Sequence, residues 1–392
     1  MLSLEEAQAR AIGLVTKSGT EVVPVEMAQG RYLAGDLFAT RTQPSANMSA
    51  MDGYAVGDRG IDGKLEWELV GESRAGTPYS RALEAGETIR ISTGAHLPVG
   101  ADRIVIQENV QIEGSQISCF QDFPDPERHV RLAGFDFESG DPVMRSGSLI
   151  GAAQIALAIT AGHGALSVAT RPTVAILDSG DELAADPQNC GLHQIPASNG
   201  AMIAAMVREL GCNVVRLGPV GDNHADLAVA LRGAEDADVL VTTGGASVGD
   251  HDLMRPALER WGAELDFWKV AMKPGKPVMV GRRGQQLIFG LPGNPVSSFV
   301  TCFLLVLPAI RAAMRARDPL PKSAQLPVGE DLPGIGSRRE FLRGIWDGTS
   351  VIRGDSQDSS ALFALAGSNC LIYRTANAAP LAAGEHATVF ML

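Results

Sequence analysis

"ADVLVTTGGASVGDHD", residues 237–252, sets an apolar run directly ahead of two glycines, a serine and two aspartates. A short apolar run bounded by turn residues reads as a buried strand. Behind it, glycines let the backbone bend tightly and expose its amides to an anion, while carboxylates suit a cation or a proton transfer. The surrounding chain repeats the plan. "TVAILDSGDEL" (173–183), "NVVRLGPV" (213–220) and "QLIFG" (286–290) read as further strands. Helical patterns separate them: one over 199–210 with Ser198 or Asn199 as N-cap and Gly211 as its stop, one near 224–233, and one near 252–262. Strands alternating with helices predict an α/β unit with a doubly wound, mostly parallel sheet, whose ligands bind beyond the carboxyl ends of the strands.

Outside this unit the texture changes. Ser3 and Glu6 form a capping box that starts a helix running to about Lys17. "LEWELV", "TIRIS", "RIVIQE" and "QISCF", between 65 and 120, are short strands divided by turn signals, which predicts a small antiparallel β-domain. After Pro308 a second β-rich stretch follows, with "REFLRGIWDGTSVIRG", "CLIYR" and "EHATVFML". The 392 residues exceed one ordinary core, and a formal charge of −12 argues against a nucleic-acid partner. Five cysteines without CxxC spacing make neither a disulfide framework nor a zinc site. The N-terminus lacks the basic start of a signal peptide, and "FVTCFLLVLPAI" (299–310) falls short of the ~20 residues of a membrane span. The expectation is a cytoplasmic protein with no membrane partner.

Three loops share the predicted carboxyl edge: "DSGDEL" (178–183), "TTGGASVGDHD" (242–252) and "GLPGNPVSS" (290–298), the last with Asn294 and Pro295 as N-cap and N1 of a helix. Any one alone is an ordinary turn, and Asp181 and Glu182 alone are ordinary helix-start charges; three on one edge point to a site. "KPGKP" (273–277) holds two lysines between prolines, suited to an oxyanion, against the alternative of a solvated hairpin tip. It does not fit G-x-x-x-x-G-K-[ST], and no G-x-G-x-x-G follows a strand. A second set lies earlier: "NMSAMDGYAV" (47–56), read as a loop carrying Asp52; "ISTGAHLP" (91–98) with Thr93; and "HVRLAGFDF" (129–137) with Arg131 and Asp136.

Together "SAMDGYA", "GDEL", "TTGGASVGDHD", "KPGKP" and "GLPGNPVS" resemble, in order and approximate spacing, the molybdopterin molybdenumtransferase family: the MoeA-type enzymes of bacteria and the E-domain of gephyrin and its plant counterparts. The resemblance spans essentially the whole chain. It implies insertion of molybdate into adenylylated molybdopterin, with release of AMP and assistance from Mg²⁺. It also implies an elongated homodimer whose sheet domain faces the "MDGYA" domain of the other subunit, with transient contact to a molybdopterin adenylyltransferase and to molybdoenzyme acceptors. The corresponding division is a linking domain (1–40 and 141–170), a β-rich domain (41–140), the α/β domain (171–315) and a C-terminal β-domain (316–392).

By that similarity Asp52, Glu182, Asp136, Lys273 and Lys276 are the catalytic candidates. Thr93, Arg131, Ser179, Gly244, Gly245, Ser247, Asp250, Pro292, Asn294 and Ser359 are the substrate-binding candidates, and Asp52, Glu182 and Asp252 the metal candidates. The chain departs from the family pattern at Asn47 and Ala197, where aspartate is usual, and at Phe135, where "GED" becomes "GFD". The extra β-domains and "MDGYA" argue against a sheet-only adenylyltransferase; a non-catalytic cofactor carrier or scaffold is the alternative reading.

Overall fold

The computed structural model describes residues 1–244 and 253–392. Its α/β sheet runs in the order Asn213–Val220, Thr173–Ser179, Val239–Thr243, Gln286–Leu291, Pro277–Arg283, Glu264–Lys269. The first four strands are parallel, and Pro277–Arg283 is antiparallel to both of its neighbours. The four parallel strands are those expected from the sequence; the last two were not foreseen. Pro277–Arg283 has only a brief apolar run between the prolines of "KPGKP" and two arginines, too short to signal a strand by itself. It turns back through Gly284 (φ +60°) into Gln286–Leu291, which suits a two-residue hairpin loop.

Val239–Thr243 and Gln286–Leu291 are buried at every residue, as strands covered on both faces must be. One face packs against Asn199–Glu209, Pro295–Ala313 and the N-terminal helix; the other packs against His224–Arg232 and Met254–Arg260. The N-terminal helix spans Leu4–Gly13, with the predicted Ser3–Glu6 capping box, and stops short of Lys17. Its Leu4, Ala7 and Ala11 sit in the same apolar cluster as the sheet.

Pro295–Ala313 is, among the described residues, the one helix long and apolar enough to cross a membrane, and 78% of its most apolar window is buried inside the protein. It widens to a π-turn at Cys302–Val306, just before Pro308. A proline inside a helix removes the N–H that would bond four residues back, here to the Leu304 carbonyl. The buried Gln8 side chain donates to that carbonyl at 2.9 Å. A polar residue on the N-terminal helix therefore satisfies the break in Pro295–Ala313.

The β-rich domain's sheet runs Arg103–Ile106, Gly53–Val56, Glu87–Ile91, Glu66–Ser73, Gln116–Cys119, Val110–Glu113. It is antiparallel except for one parallel pair, Glu66–Ser73 with Glu87–Ile91. The loop expected at "NMSAMDGYAV" is in part a strand: Gly53–Val56 is wholly buried. A Cβ on Gly53 would lie 2.2 Å from the Val105 carbonyl oxygen, so the strand needs a residue that sequence patterns score as a turn former. Thr20–Pro24 pairs with Ala165–Ala169, and Leu37–Phe38 with Pro142–Met144, making two ribbons that carry the chain to and from this domain. The C-terminal sheet runs Met272–Lys273, Arg339–Trp346, Cys370–Arg374, His386–Met391, Ser323–Pro327.

Candidate active site

At the carboxyl edge of the α/β sheet the strand-end loops meet backbone to backbone. Gly244 holds φ +85°, and a Cβ there would lie 2.4 Å from the Ser179 carbonyl oxygen. A Cβ on Gly293 would lie 3.8 Å from the Gly244 Cα, and the Asn199 Nδ2 donates to the Gly293 carbonyl at 2.6 Å. Ser179, Gly244 and the Pro292–Asn294 turn are thus brought together as the sequence anticipates. The Ser179 hydroxyl is buried near the Asp222 carboxyl and makes no full hydrogen bond within the protein. Gly245, Ser247, Asp250 and Asp252, also predicted for this edge, lie outside the described residues.

Beneath the loops sits Asp178, 1% exposed, which sequence reasoning passed over. Its carboxylate accepts from the Thr243 hydroxyl at 2.7 Å and from Arg216 at 2.7 Å. A Cβ on Gly200 would lie 2.2 Å from its Oδ2, so the first turn of Asn199–Glu209 rests on this carboxylate. The available signal was an aspartate closing an apolar strand, "VAILD". A buried charge is kept only where paired, and here the pairing ties three strands together.

Glu182 is exposed beside Asp181, whose Oδ1 accepts from the Asp222 amide at 2.9 Å. Burial, then the charges of Asp181 and Glu182, push the Asp222 carboxyl above the usual aspartate range. Asp222 was also missed; it follows the strand Asn213–Val220 and adds a fourth loop to the edge.

"KPGKP" is not a free hairpin tip. Met272–Lys273 pairs in parallel with Arg339 and Glu340, and Lys273 Nζ lies 3.0 Å from Glu340. Gly275 (φ +101°) sits so close to the helix that a Cβ would meet Thr301 Cγ2 at 2.5 Å. The turn thereby walls a pocket of ≈ 340 Å³ whose lining includes Lys273, Lys276, Ser297, Arg338 and Ser359. Asn294 occupies the N-cap position but does not cap: its Nδ2 donates to the Ser359 hydroxyl at 3.0 Å, and Val296 N to the Ser359 carbonyl at 3.1 Å. The Pro292 carbonyl accepts from the Ser298 hydroxyl. Arg343, 1% exposed and also in the lining, donates to the Ser356 and Asp358 carbonyls, with burial lowering its pKa. Arg338, just ahead of the strand Arg339–Trp346, and Arg343 within it carried no sequence signal of their own.

The second predicted set also comes together, in the β-rich domain. Asp52 Oδ1 accepts from the Thr93 amide at 2.7 Å and the Thr93 hydroxyl at 3.1 Å. Those bonds, the amide first, hold the Asp52 carboxyl below its ordinary value. Val130–Arg131 pairs with Met48–Ser49, and the Asp136 amide donates to the Gln43 carbonyl at 3.0 Å. Asn47, where the resemblance implies aspartate, accepts from the Ala133 amide through Oδ1 at 2.9 Å. An amide oxygen thus fills an acceptor role open to a carboxylate.

Among the described residues no hydrogen bond or ion pair joins this cluster to the sheet edge, and no group of three or more His, Cys, Asp or Glu is placed to hold a metal ion. Asp52 and Glu182 are therefore not brought into one metal site within the chain.

Comparison with known proteins matches this architecture along its length. Residues 2–162 match the MoeA N-terminal region (domain I and II), 175–312 the probable molybdopterin binding domain, and 325–392 the MoeA C-terminal region (domain IV). The molybdopterin molybdenumtransferase of Haemophilus influenzae is 31% identical, covering 99% of this chain and 98% of its own. Molybdopterin molybdenumtransferase 2 of Mycobacterium tuberculosis is 33% identical over the whole of both chains. Two crystal structures of the molybdopterin biosynthesis MoeA protein of Pyrococcus horikoshii superpose with TM-scores of 0.86 and 0.80, at 23% and 26% identity. Each covers 100% of this chain, and 100% and 99% of the archaeal ones. On regions that account for nearly all of its length, this chain belongs to the MoeA family.

Proposed function

We propose that this chain is a molybdopterin molybdenumtransferase, which inserts molybdenum from molybdate into adenylylated molybdopterin and releases AMP. The observation that carries the reading is the pocket beside "KPGKP", which gathers Lys273, Lys276, Arg338 and the hydroxyls of Ser297 and Ser359. Molybdate is a tetrahedral dianion, and fixed cations with hydroxyl donors are what such an anion needs on leaving water. Next to it, the Ser179 hydroxyl, which makes no full hydrogen bond within the protein, is the donor that the edge at Gly244 and Gly293 offers to the substrate's phosphates.

The described residues of one chain do not by themselves make a Mg²⁺ site. Asp181, Glu182 and Asp222 are the carboxylates at this edge that such an ion would meet, together with groups outside them, and burial followed by the charges of the other two raises the Asp222 pKa. When bound there the ion would supply charge stabilisation at the phosphoanhydride. Asp52, fixed by Thr93 and kept ionised, acts on the same substrate from a second subunit in a homodimer. Support for the dimer comes from the linking region: Val22, Phe38, Leu149 and Ile159 are 73%, 50%, 54% and 48% exposed. The apolar helix Ala152–Thr160 buries only Ala158 fully. All five cysteines are free, which suits the reducing cytoplasm. Transient contact with the enzyme that makes the adenylylated substrate and with molybdoenzyme acceptors belongs to the same reading and falls outside the dimer surface.

The test is AMP release from adenylylated molybdopterin with Mg²⁺, with and without molybdate. Release should depend on molybdate and be lost in Asp52→Ala and in Glu182→Ala. If the site spans two subunits, exchanging subunits between the two dead variants restores about a quarter of wild-type activity, since half of random dimers are mixed and each holds one intact site. No recovery on mixing would place both residues in one subunit's site. Tight binding without any AMP release by the wild type would instead indicate a carrier.

A further inference from the structure

Phe135 is 75% exposed, an unusual setting for a large apolar side chain, and it stands between two predicted site residues, Arg131 and Asp136. The backbone around it is pinned. Ala133 N donates to Asn47 Oδ1 at 2.9 Å, Gly134 N to the Pro44 carbonyl at 3.0 Å, Phe135 N to the Leu132 carbonyl at 3.1 Å, and Asp136 N to the Gln43 carbonyl at 3.0 Å. Four consecutive amides are thus fixed, and the aromatic side chain is held out to solvent. Leu132 (37% exposed) shares the loop, and Met51 (41%) sits beside Asp52 in the same cluster. The Asp136 carboxylate is exposed and has no side-chain hydrogen-bond partner among the described residues. An exposed aromatic ring on a pinned backbone, next in sequence to an exposed carboxylate, offers a surface to a flat heterocycle with hydrogen-bond donors on its edge.

We infer that Phe135 stacks on the pterin ring of the substrate while Asp136 accepts hydrogen bonds from the ring's edge. The inference rests on the function proposed above and adds a substrate-positioning residue to it. The substrate carries two flat heterocycles, and the carboxylate selects between them. A 2-amino-4-oxo pyrimidine edge presents an amino group and a ring N–H side by side, matching a carboxylate as a guanidinium does. The adenine edge pairs its amino group with an acceptor nitrogen, which a carboxylate repels. The resemblance implies glutamate at this position, as "GED"; the phenylalanine of "GFD" brings a face for stacking that glutamate lacks.

The experiment titrates adenylylated molybdopterin into Phe135→Ala, Phe135→Leu and Phe135→Tyr, followed by pterin fluorescence, with KM and kcat for AMP release measured alongside. Stacking predicts about 10-fold weaker binding for Ala and Leu, recovery in Tyr, and a matching rise in KM at nearly constant kcat. AMP alone should bind all variants as it binds the wild type. Leucine binding as well as phenylalanine would overturn the inference, because bulk rather than an aromatic face would then suffice. Loss of AMP affinity in Phe135→Ala would assign the face to adenine, and a fall in dimer mass would assign it to the subunit contact; either rejects it. Because the titration needs no turnover, failure of AMP release in the wild type would reject the proposed reaction while leaving the stacking result readable.

Discussion

The two candidate clusters are built differently. The sheet edge is held by buried polar side chains and by glycines packed against neighbouring backbone: Asp178 with Arg216 and Thr243, and Gly244 against Ser179. In the β-rich cluster the backbone does most of the holding, with Asn47 and Asp52 adding exposed side-chain acceptors. Residues 47–52, 93–97 and 129–136 are laced by main-chain amides and carbonyls, and Asp52, Thr93, Arg131, Phe135 and Asp136 all face solvent. In the first region the residues that shape the site also hold the fold. In the second, side chains can be exchanged with little effect on folding, which leaves them open to tune the chemistry. Of the three departures named above, Asn47 and Phe135 fall in this second region, while Ala197 lies in the α/β domain just ahead of the helix Asn199–Glu209.

Gly244→Val should show the largest effect. It places a branched side chain at φ +85° and drives a Cβ into the Ser179 carbonyl, where 2.4 Å is available. Left-handed backbone plus a backbone clash should cost about 3 kcal/mol or more of unfolding free energy. Denaturant melts would show it, together with loss of AMP release. A fully active, equally stable Gly244→Val would dissolve the contrast between the regions. The opposite pattern is expected of Asp52→Ala, whose carboxylate is solvent-exposed and bonded only to Thr93. Activity should be lost while the melting temperature barely moves. A large drop in melting temperature would mean that this cluster, too, depends on its side chains for the fold.

Much of this was legible because the α/β alternation forces strand ends onto one edge, so that loops distant in sequence become neighbours by topology alone. The loops that carry Ser179, Gly244, Pro292 and Asn294 were placed on one edge that way, while the residues themselves were singled out by the family resemblance. What escaped were residues whose meaning depends on a partner far along the chain. Asp178 is informative only once Arg216 and Gly200 are seen against it, and Gln8 only once Pro308 has orphaned a carbonyl. Arg343 alternates into a strand like any other residue, and nothing local says that its guanidinium is buried beside Ser356 and Asp358. Gly53–Val56 was hidden for the converse reason. Its sequence, Gly-Tyr-Ala-Val, is dictated by close approach to Val105, and close approach erases the bulky pattern by which strands are recognised.

The smallest predicted effect has the opposite sign and sharpens the comparison, because it asks whether the sheet edge gives up stability for chemistry. Burial and the neighbouring charges of Asp181 and Glu182 raise the folded-state pKa of Asp222 above that of the unfolded chain. The folded protein therefore binds the proton more tightly, and the stability linked to that proton is present at low pH and lost as pH rises through the raised value. At neutral pH the ionised carboxylate is a net burden. Asp222→Asn removes that burden at neutral pH, and its advantage should vanish below about pH 4, where aspartate is protonated in both states. The side chain is largely exposed and solvent screens the repulsion, so the gain should stay under about 0.5 kcal/mol. Melts of Asp222→Asn and wild type at pH 4 and pH 8, with AMP release at pH 8, test it. A stabilised but impaired variant would show that the three carboxylates are kept together for the reaction. A variant less stable at pH 8 than at pH 4, relative to wild type, would mean that the Asp222 carboxylate makes a favourable contact stronger than the repulsion from Asp181 and Glu182.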